Sequence, residues 1–211
     1  VYGPEVTVIH ARLQDYIAQI IPASSSTTDN SAAVPTTSAE VSNPAVSAEA
    51  KDSDNLSVAD AITDIVYAPC NGTVIPLKEI NDGVFSEGYI GEGLAIEPVD
   101  GSFYAPFDCS VAMVFDTHHA IALHTANDTE LILHVGLDTV KLNGQHLEVF
   151  VQEGQKIQKG DLILRADLEG IQSAGCRTVT PVVITGAGAE SVELLKTGPV
   201  HIGDAVLKVH Y

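Results

Sequence analysis

The chain has 211 residues, 45% of them apolar, and a formal net charge of −18 from 28 acidic and 10 basic residues. This length and apolar content exclude a wholly disordered chain and allow one large or two small domains with a sizeable core. The charge excludes an electrostatic grip on nucleic acid or on an anionic membrane surface, and the absence of any apolar run of about 18 residues excludes a hydrophobic spanning helix.

In chain order, Val1-Tyr2-Gly3-Pro4 reads as the end of a strand, and Ile9, Leu13, Ile17 and Ile20 fall at helical spacing, which predicts an amphipathic helix running towards Pro22. Residues 1–22 are too few to fold alone. With no initiator methionine and no signal peptide, the chain is expected to be a piece of a longer soluble polypeptide. Residues 23–61 change to Ser, Thr, Ala, Pro and acidic side chains with hardly any large apolar residue, the signature of a disordered linker. For roughly 35 flexible residues the expected reach is about 30 Å.

Residues 62–211 predict an all-β domain, a compact antiparallel sandwich or barrel. Short runs at Thr73–Leu77, Leu94–Glu97, Val111–Phe115, Leu131–Val135, Leu147–Val151 and Leu162–Arg165 are separated by Gly, Pro, Asn and Asp. An internal repeat supports this reading. Tyr67-Ala68-Pro69-Cys70-Asn71-Gly72-Thr73-Val74 is echoed by Tyr104-Ala105-Pro106-Phe107-Asp108-Cys109-Ser110-Val111, and a Gly160-Asp161 turn is echoed by Gly203-Asp204. The one helix expected here runs from Asp167 to Ala174, capped by Asp167. Cys70, Cys109 and Cys176 are odd in number and form no CxxC pair, so they are read as reduced, semi-buried thiols of a cytosolic protein.

His119 and His134 lie fifteen residues apart on either side of a predicted hairpin. A turn at Ala126-Asn127 sets His119 opposite His134; a turn at Asn127-Asp128 sets it opposite Gly136. Both registers leave the two rings on one sheet face, with Phe115, Thr117, Ile121 and Leu123, while His118 and His124 have the other parity. Paired imidazoles can share a metal, a proton or a phosphoryl group. A neutral imidazole is a good nucleophile toward phosphorus at neutral pH, and a second ring beside it can donate a hydrogen bond to the incoming oxygens. The hydroxyl of Thr117 is placed to fix the tautomer of His119. Zinc is the natural competitor, with Asp138 as a further acid, although no HExxH or His-x-His motif occurs.

Several stretches together resemble one family. They are Ala68-Pro69-Cys70-Asn71-Gly72, Asp82-Gly83-Val84-Phe85-Ser86, Gly91-Glu92-Gly93, Phe115-Asp116-Thr117-His118-His119-Ala120, Leu133-His134-Val135-Gly136-Leu137-Asp138-Thr139-Val140 and Thr180-Pro181-Val182-Val183. From about Ile62 to Tyr211 the chain is similar to the glucose-type IIA domain of the bacterial phosphoenolpyruvate-dependent sugar phosphotransferase system. The resemblance implies an antiparallel β-sandwich in which His134 takes a phosphoryl group from the phosphocarrier HPr, His119 hydrogen-bonds that group, and Thr117 hydrogen-bonds His119. It further implies an apolar rim of Val84, Phe85, Ile90, Phe115, Ile132 and Val140 on which HPr and a IIB domain dock, with Asp82 and Asp138 at its polar edge. His118 stands where the family more often has asparagine. Residues 1–22 resemble the last strand and helix of a IIB domain, whose phosphocysteine is absent here.

The leading expectation is therefore a phosphotransferase component that passes its phosphoryl group to the cysteine of a tethered IIB domain during sugar uptake, at the cytoplasmic side of the membrane. It would need no cofactor, incidental zinc at His119 and His134 aside. Two other readings stay open: a zinc-dependent hydrolase on a similar β scaffold, and a binding module that regulates partners according to its phosphorylation state. The run Ala174–Pro181 leans toward β-glucoside or sucrose-type permeases.

Overall fold

The computed structural model describes residues 63–185 and 189–211; the helix expected in residues 1–22 and the linker expected in 23–61 lie outside the described residues. In chain order the elements are β1 (Thr63–Tyr67), β2 (Gly72–Pro76), β3 (Glu92–Pro98), β4 (Ser102–Tyr104), β5 (Cys109–Val114), β6 (Ala120–His124), β7 (Glu130–His134), β8 (Leu147–Val149), β9 (Lys156–Ile157), β10 (Leu162–Ala166), α1 (Leu168–Ser173), β11 (Thr180–Ile184), β12 (Ser191–Leu194), β13 (Gly198–Val200) and β14 (Ala205–His210). The expected strands are present, with ends shifted by a few residues. Leu77 opens a 3-10 turn instead of closing a strand, and Phe115 and Val135 lie just beyond theirs. The short helix forms where expected, its first turn closed by the Asp167 carboxylate accepting from the Gly170 N–H at 3.0 Å.

The strands build an eight-stranded antiparallel sheet in the order β13-β2-β3-β11-β7-β6-β5-β9 and two three-stranded sheets, β1-β14-β12 and β4-β10-β8. On one face of the large sheet Leu94, Ile96, Ile121, Leu123, Leu131, Leu133, Val182 and Ile184 point inward. They join Phe103, Ile163, Leu164, Val206 and Leu207 from the smaller sheets in one core. Period-two alternation turns the intervening residues, Ala95, Ala120, Ala122, Ile132, His134 and Val183, to the opposite face. The segment between β2 and β3 covers part of that second face, with Leu77, Ile80 and Phe85 packed on Ala95 and Val183.

The internal repeat is a pseudo-two-fold relation of hydrogen bonds. Tyr67 N–H donates to the Pro106 carbonyl at 3.1 Å, and Tyr104 N–H donates to the Pro69 carbonyl at 2.7 Å. Ala68 N–H bonds Asp204 while Ala105 N–H bonds Asp161, both at 2.8 Å. The side chains repeat as well, with Asn71 Oδ1 accepting from Ile202 N–H at 3.0 Å and Asp108 Oδ1 from Lys159 N–H at 2.8 Å. Each copy thus enters its strand through a proline and is held by the Gly-Asp turn of its own partner segment. Cys70, Cys109 and Cys176 are unbonded thiols, buried more fully than expected.

Candidate functional site

Neither expected hairpin register forms. β6 and β7 pair with Ala120 opposite His134 and His124 opposite Glu130. The loop has three residues, because Thr125 N–H bonds the Thr129 carbonyl at 3.0 Å and Asp128 takes the left-handed conformation (φ 63°). This is the three-residue alternative to a two-residue turn, and it shifts the pairing by one. His119 therefore lies opposite Val135, its carbonyl accepting the Val135 N–H at 2.7 Å. Strict alternation from this register would send the His119 ring into the core. It does not, since His119 precedes β6 and follows a left-handed His118 (φ 55°), which releases it from the pleat. The two rings meet edge to face, with centroids 4.8 Å apart and planes at 75°. Ile121 and Leu123, expected beside them, face the core; the floor under the rings is made of Ala120, Ala122 and Ile132. His118 is exposed in the turn.

Hydrogen bonds assign complementary roles to the two imidazoles. His134 Nδ1 lies 2.7 Å from the Gly136 carbonyl, which can only accept, so the ring proton sits on Nδ1 and the lone pair on Nε2. His119 Nδ1 lies 2.5 Å from Thr117 Oγ1; with the hydroxyl as the donor, the ring proton is on Nε2. One ring then offers a nucleophile and the other a donor. Burial holds both well below the ordinary imidazole pKa. For His119 the neighbouring His134 adds to the effect, whereas for His134 the bond to Gly136 and the charges of Asp82 and Asp138 oppose it. At neutral pH both rings are uncharged.

Two aromatic walls enclose the pair. Phe85 meets His134 and Phe115 meets His119, each at 5.1 Å between centroids and close to perpendicular. Of the expected rim, Phe85 (3% exposed), Ile132 (4%) and Phe115 (6%) are buried; Val84, Ile90 and Val140 are half-buried. Phe85 belongs to the packing that supports His134, which corrects the expectation of a residue lying on a docking surface. The reason is Asp82. Its carboxylate accepts from the N–H groups of Val84, Phe85 and Ser86 at 3.3, 3.2 and 2.9 Å, folding the turn so that Phe85 points inward. Burial works against ionising this carboxyl, yet the bonds from Ser86, Phe85 and Val84 together hold it below its usual pKa. Asp138 is exposed and paired with Lys141 at 2.7 Å. Among the described residues, no group of three or more His, Cys, Asp or Glu side chains is placed to hold a metal ion.

Residues to which the sequence alone gave no individual role build the support of Gly136. This glycine has φ 75°, and a Cβ there would lie 2.5 Å from Thr139 Cγ2 and 2.7 Å from the Arg177 carbonyl, so only glycine fits. Thr139 Oγ1 donates to the Val135 carbonyl at 2.7 Å, Gly136 N–H reaches Thr180 Oγ1 at 3.4 Å, and Leu137 N–H donates to the Arg177 carbonyl at 2.8 Å. The glycine itself was the one local signal, since it is the residue that takes a positive φ without strain. Tyr89, 71% exposed beside Ile90, was also passed over.

Comparison with known proteins agrees with this geometry. The chain is 38% identical over 174 residues to a glucoside-specific EIICBA component of the PTS system from Staphylococcus carnosus, covering 81% of this chain and 25% of that protein. It is 40% identical over 161 residues to the glucose-specific EIICBA component of the same organism, covering 76% of this chain and 24% of that protein. It therefore spans about a quarter of the length of these relatives. The solved structure of glucose permease IIA from Mycoplasma capricolum superposes with a TM-score of 0.67 at 37% identity, covering 70% of this chain and 96% of that one. The family model for EIIA 1 of the phosphoenolpyruvate-dependent sugar phosphotransferase system matches residues 64–189, more than half of the chain, and the chain belongs to that family, as a β-sandwich IIA component with a phosphoryl-transfer role.

Proposed function

We propose that His134 is the phosphoryl acceptor of this IIA component, with HPr as donor and the cysteine of a IIB domain of the same permease as the next acceptor. The observation that carries this reading is the pair of adjacent buried rings, with His134 Nδ1 held on the Gly136 carbonyl and His119 Nδ1 held on the Thr117 hydroxyl. The Nε2 lone pair of His134 attacks phosphorus in line, the N–P bond to the donor breaks, and its electron pair returns to the donor's ring nitrogen. No proton has to leave His134, since Nδ1 keeps its proton on the Gly136 carbonyl. The imidazolium formed on phosphorylation is stabilised by that bond and by the carboxylates of Asp82 and Asp138. His119 Nε2–H donates to the phosphoryl oxygens, held in place by Thr117, in a water-poor setting where such a donor counts for more than in solution. Onward transfer reverses these events, with a thiolate as nucleophile.

The phosphoryl group is carried covalently, with no resident cofactor. The half-buried Val84, Ile90 and Val140 line the opening on which donor and acceptor dock, with Asp82 and Asp138 at its edge. The domain acts at the cytoplasmic face, residues 1–22 being the end of the IIB domain and 23–61 the tether; among the described residues no helix is long and apolar enough to cross a membrane. Joining two domains in one chain makes their encounter intramolecular, with an effective concentration on the order of millimolar for a short linker. The two relatives carry different sugar names at 38% and 40% identity, as expected of a domain that hands on phosphoryl and does not select the sugar.

The test is incubation with phosphoenolpyruvate, enzyme I and HPr. The wild type gains one phosphoryl group labile to acid and stable to base, and His134→Ala gains none. Label on His134→Ala, or on a serine of the wild type, defeats the assignment.

A further inference from the structure

We infer that Arg177 is a positioning residue for His134, because its two ends tie together the two supports of that ring; the inference rests on His134 being the phosphoryl acceptor. The first support is a single peptide unit. Its carbonyl, from Gly136, accepts the Nδ1–H of His134 at 2.7 Å, and its N–H, from Leu137, donates to the Arg177 carbonyl at 2.8 Å. Bonds in series through one peptide polarise each other, so the grip of Arg177 makes the Gly136 carbonyl a better acceptor for the ring proton. Leu137 and Arg177 form an isolated antiparallel bridge just beyond the end of the ladder between β7 and β11.

The second support is the Phe85 wall. The Arg177 guanidinium crosses to the segment between β2 and β3 and donates from Nη1 to the Ile80 carbonyl at 2.7 Å. Ile80 is buried in one cluster with Phe85, Leu137 and Val179, and it stands two residues before Asp82, whose carboxylate folds the turn that sets Phe85 against His134. Any residue at position 177 can offer the backbone carbonyl. The guanidinium is what fastens that strand to the Phe85 segment, 97 residues away in sequence. Its effect reaches the reaction through the orientation of the acceptor ring and requires no contact with the phosphoryl group.

Arg177 is exposed, so Arg177→Met keeps the aliphatic stem and the fold while removing every side-chain donor. The probe is phosphoramidate, a small phosphoryl donor that needs no docking surface, with phosphorus NMR following phosphorylation of His134 and proton–nitrogen NMR following its Nδ1–H. A wild type that gains no phosphoryl group on His134 defeats the acceptor reading itself. Given a phosphorylated wild type, Arg177→Met is expected to react about fivefold more slowly, the rate equivalent of about 1 kcal/mol for one net hydrogen bond. Its His134 Nδ1–H signal shifts or broadens, and Arg177→Lys, which can still donate to the Ile80 carbonyl, recovers most of the rate. Arg177→Met matching the wild type in rate and ring signals overturns the inference. A defect present with HPr and absent with phosphoramidate also overturns it, since Arg177 would then act as a docking charge.

Discussion

The two faces of the large sheet are made by the same strands and do opposite work. On the core face, Leu94, Ile96, Ile121, Leu123, Leu131, Leu133 and Val182 interdigitate with two smaller sheets. On the other face, one residue along each strand, three alanines, Ala95, Ala120 and Ala122, stand beside Ile132 and Val183, and the floor of Ala120, Ala122 and Ile132 carries two imidazoles between two phenyl rings. Large aliphatics in register stabilise by burying area and tolerate no charge. Small residues stabilise less but leave room for rings that must present a nitrogen. The lesson is that stability and chemistry are separated by the pleat, 180° apart on one backbone.

Phe85 tests this separation hardest, because it lies on the site face and yet is 3% exposed. Phe85→Asp should lose more than about 5 kcal/mol, combining the loss of a buried ring with burial of a charge, enough to unfold a domain of ordinary stability. Circular dichroism with urea titration measures this; a folded variant would return Phe85 to the surface. Leu94→Ala, on the core face, should cost about 2–5 kcal/mol while phosphoryl acceptance per folded molecule stays at the wild-type rate. A matching loss of rate would mean that the two faces are not independent.

His119→Gln probes the site face alone. It should still be phosphorylated by HPr but should pass the group to IIB about 100-fold more slowly, the usual cost of one strong donor to developing charge. Rapid-quench transfer measurements check this, and equal rates would make the pairing of rings incidental. A further effect is in pH. Both histidines have pKa values lowered from 6.5 by burial, so the unfolded chain binds protons that the folded one refuses. Stability should accordingly fall as pH drops below about 6.5 and level off once the folded rings protonate. His119→Gln removes one of the two groups and should flatten that fall in urea titrations; an unchanged slope would show that the ring is not held neutral.

Much of this molecule was readable in one dimension. The β-runs bounded by Gly, Pro and Asp, the Asp167 cap and the duplicated Tyr-Ala-Pro entry all depend on neighbours within a few residues, and they appear where the sequence places them. The hairpin register was not readable, because Ala126-Asn127-Asp128 fits either a two-residue turn or a three-residue loop, and only pairing along β6 and β7 selects the left-handed Asp128. The encounter of His119 and His134 was anticipated for an incomplete reason. It depends on His119 leaving the pleat after a left-handed His118, a step that alternation cannot express.

What the sequence determined by itself is therefore local: which segments are strands, which glycine must turn, and which residue types could take a phosphoryl group. Tertiary structure alone decided what surrounds them. Phe85 became a buried wall because Asp82 folds its turn inward, and Arg177 came to hold the peptide under His134 because the segment before β11 bridges it. Burial then held both imidazoles neutral. The Asp82 turn is local, but the seating of Phe85 on His134, the bridge to Arg177 and the burial of both rings are long-range contacts that depend on excluding water, and no run of adjacent residues encodes that exclusion.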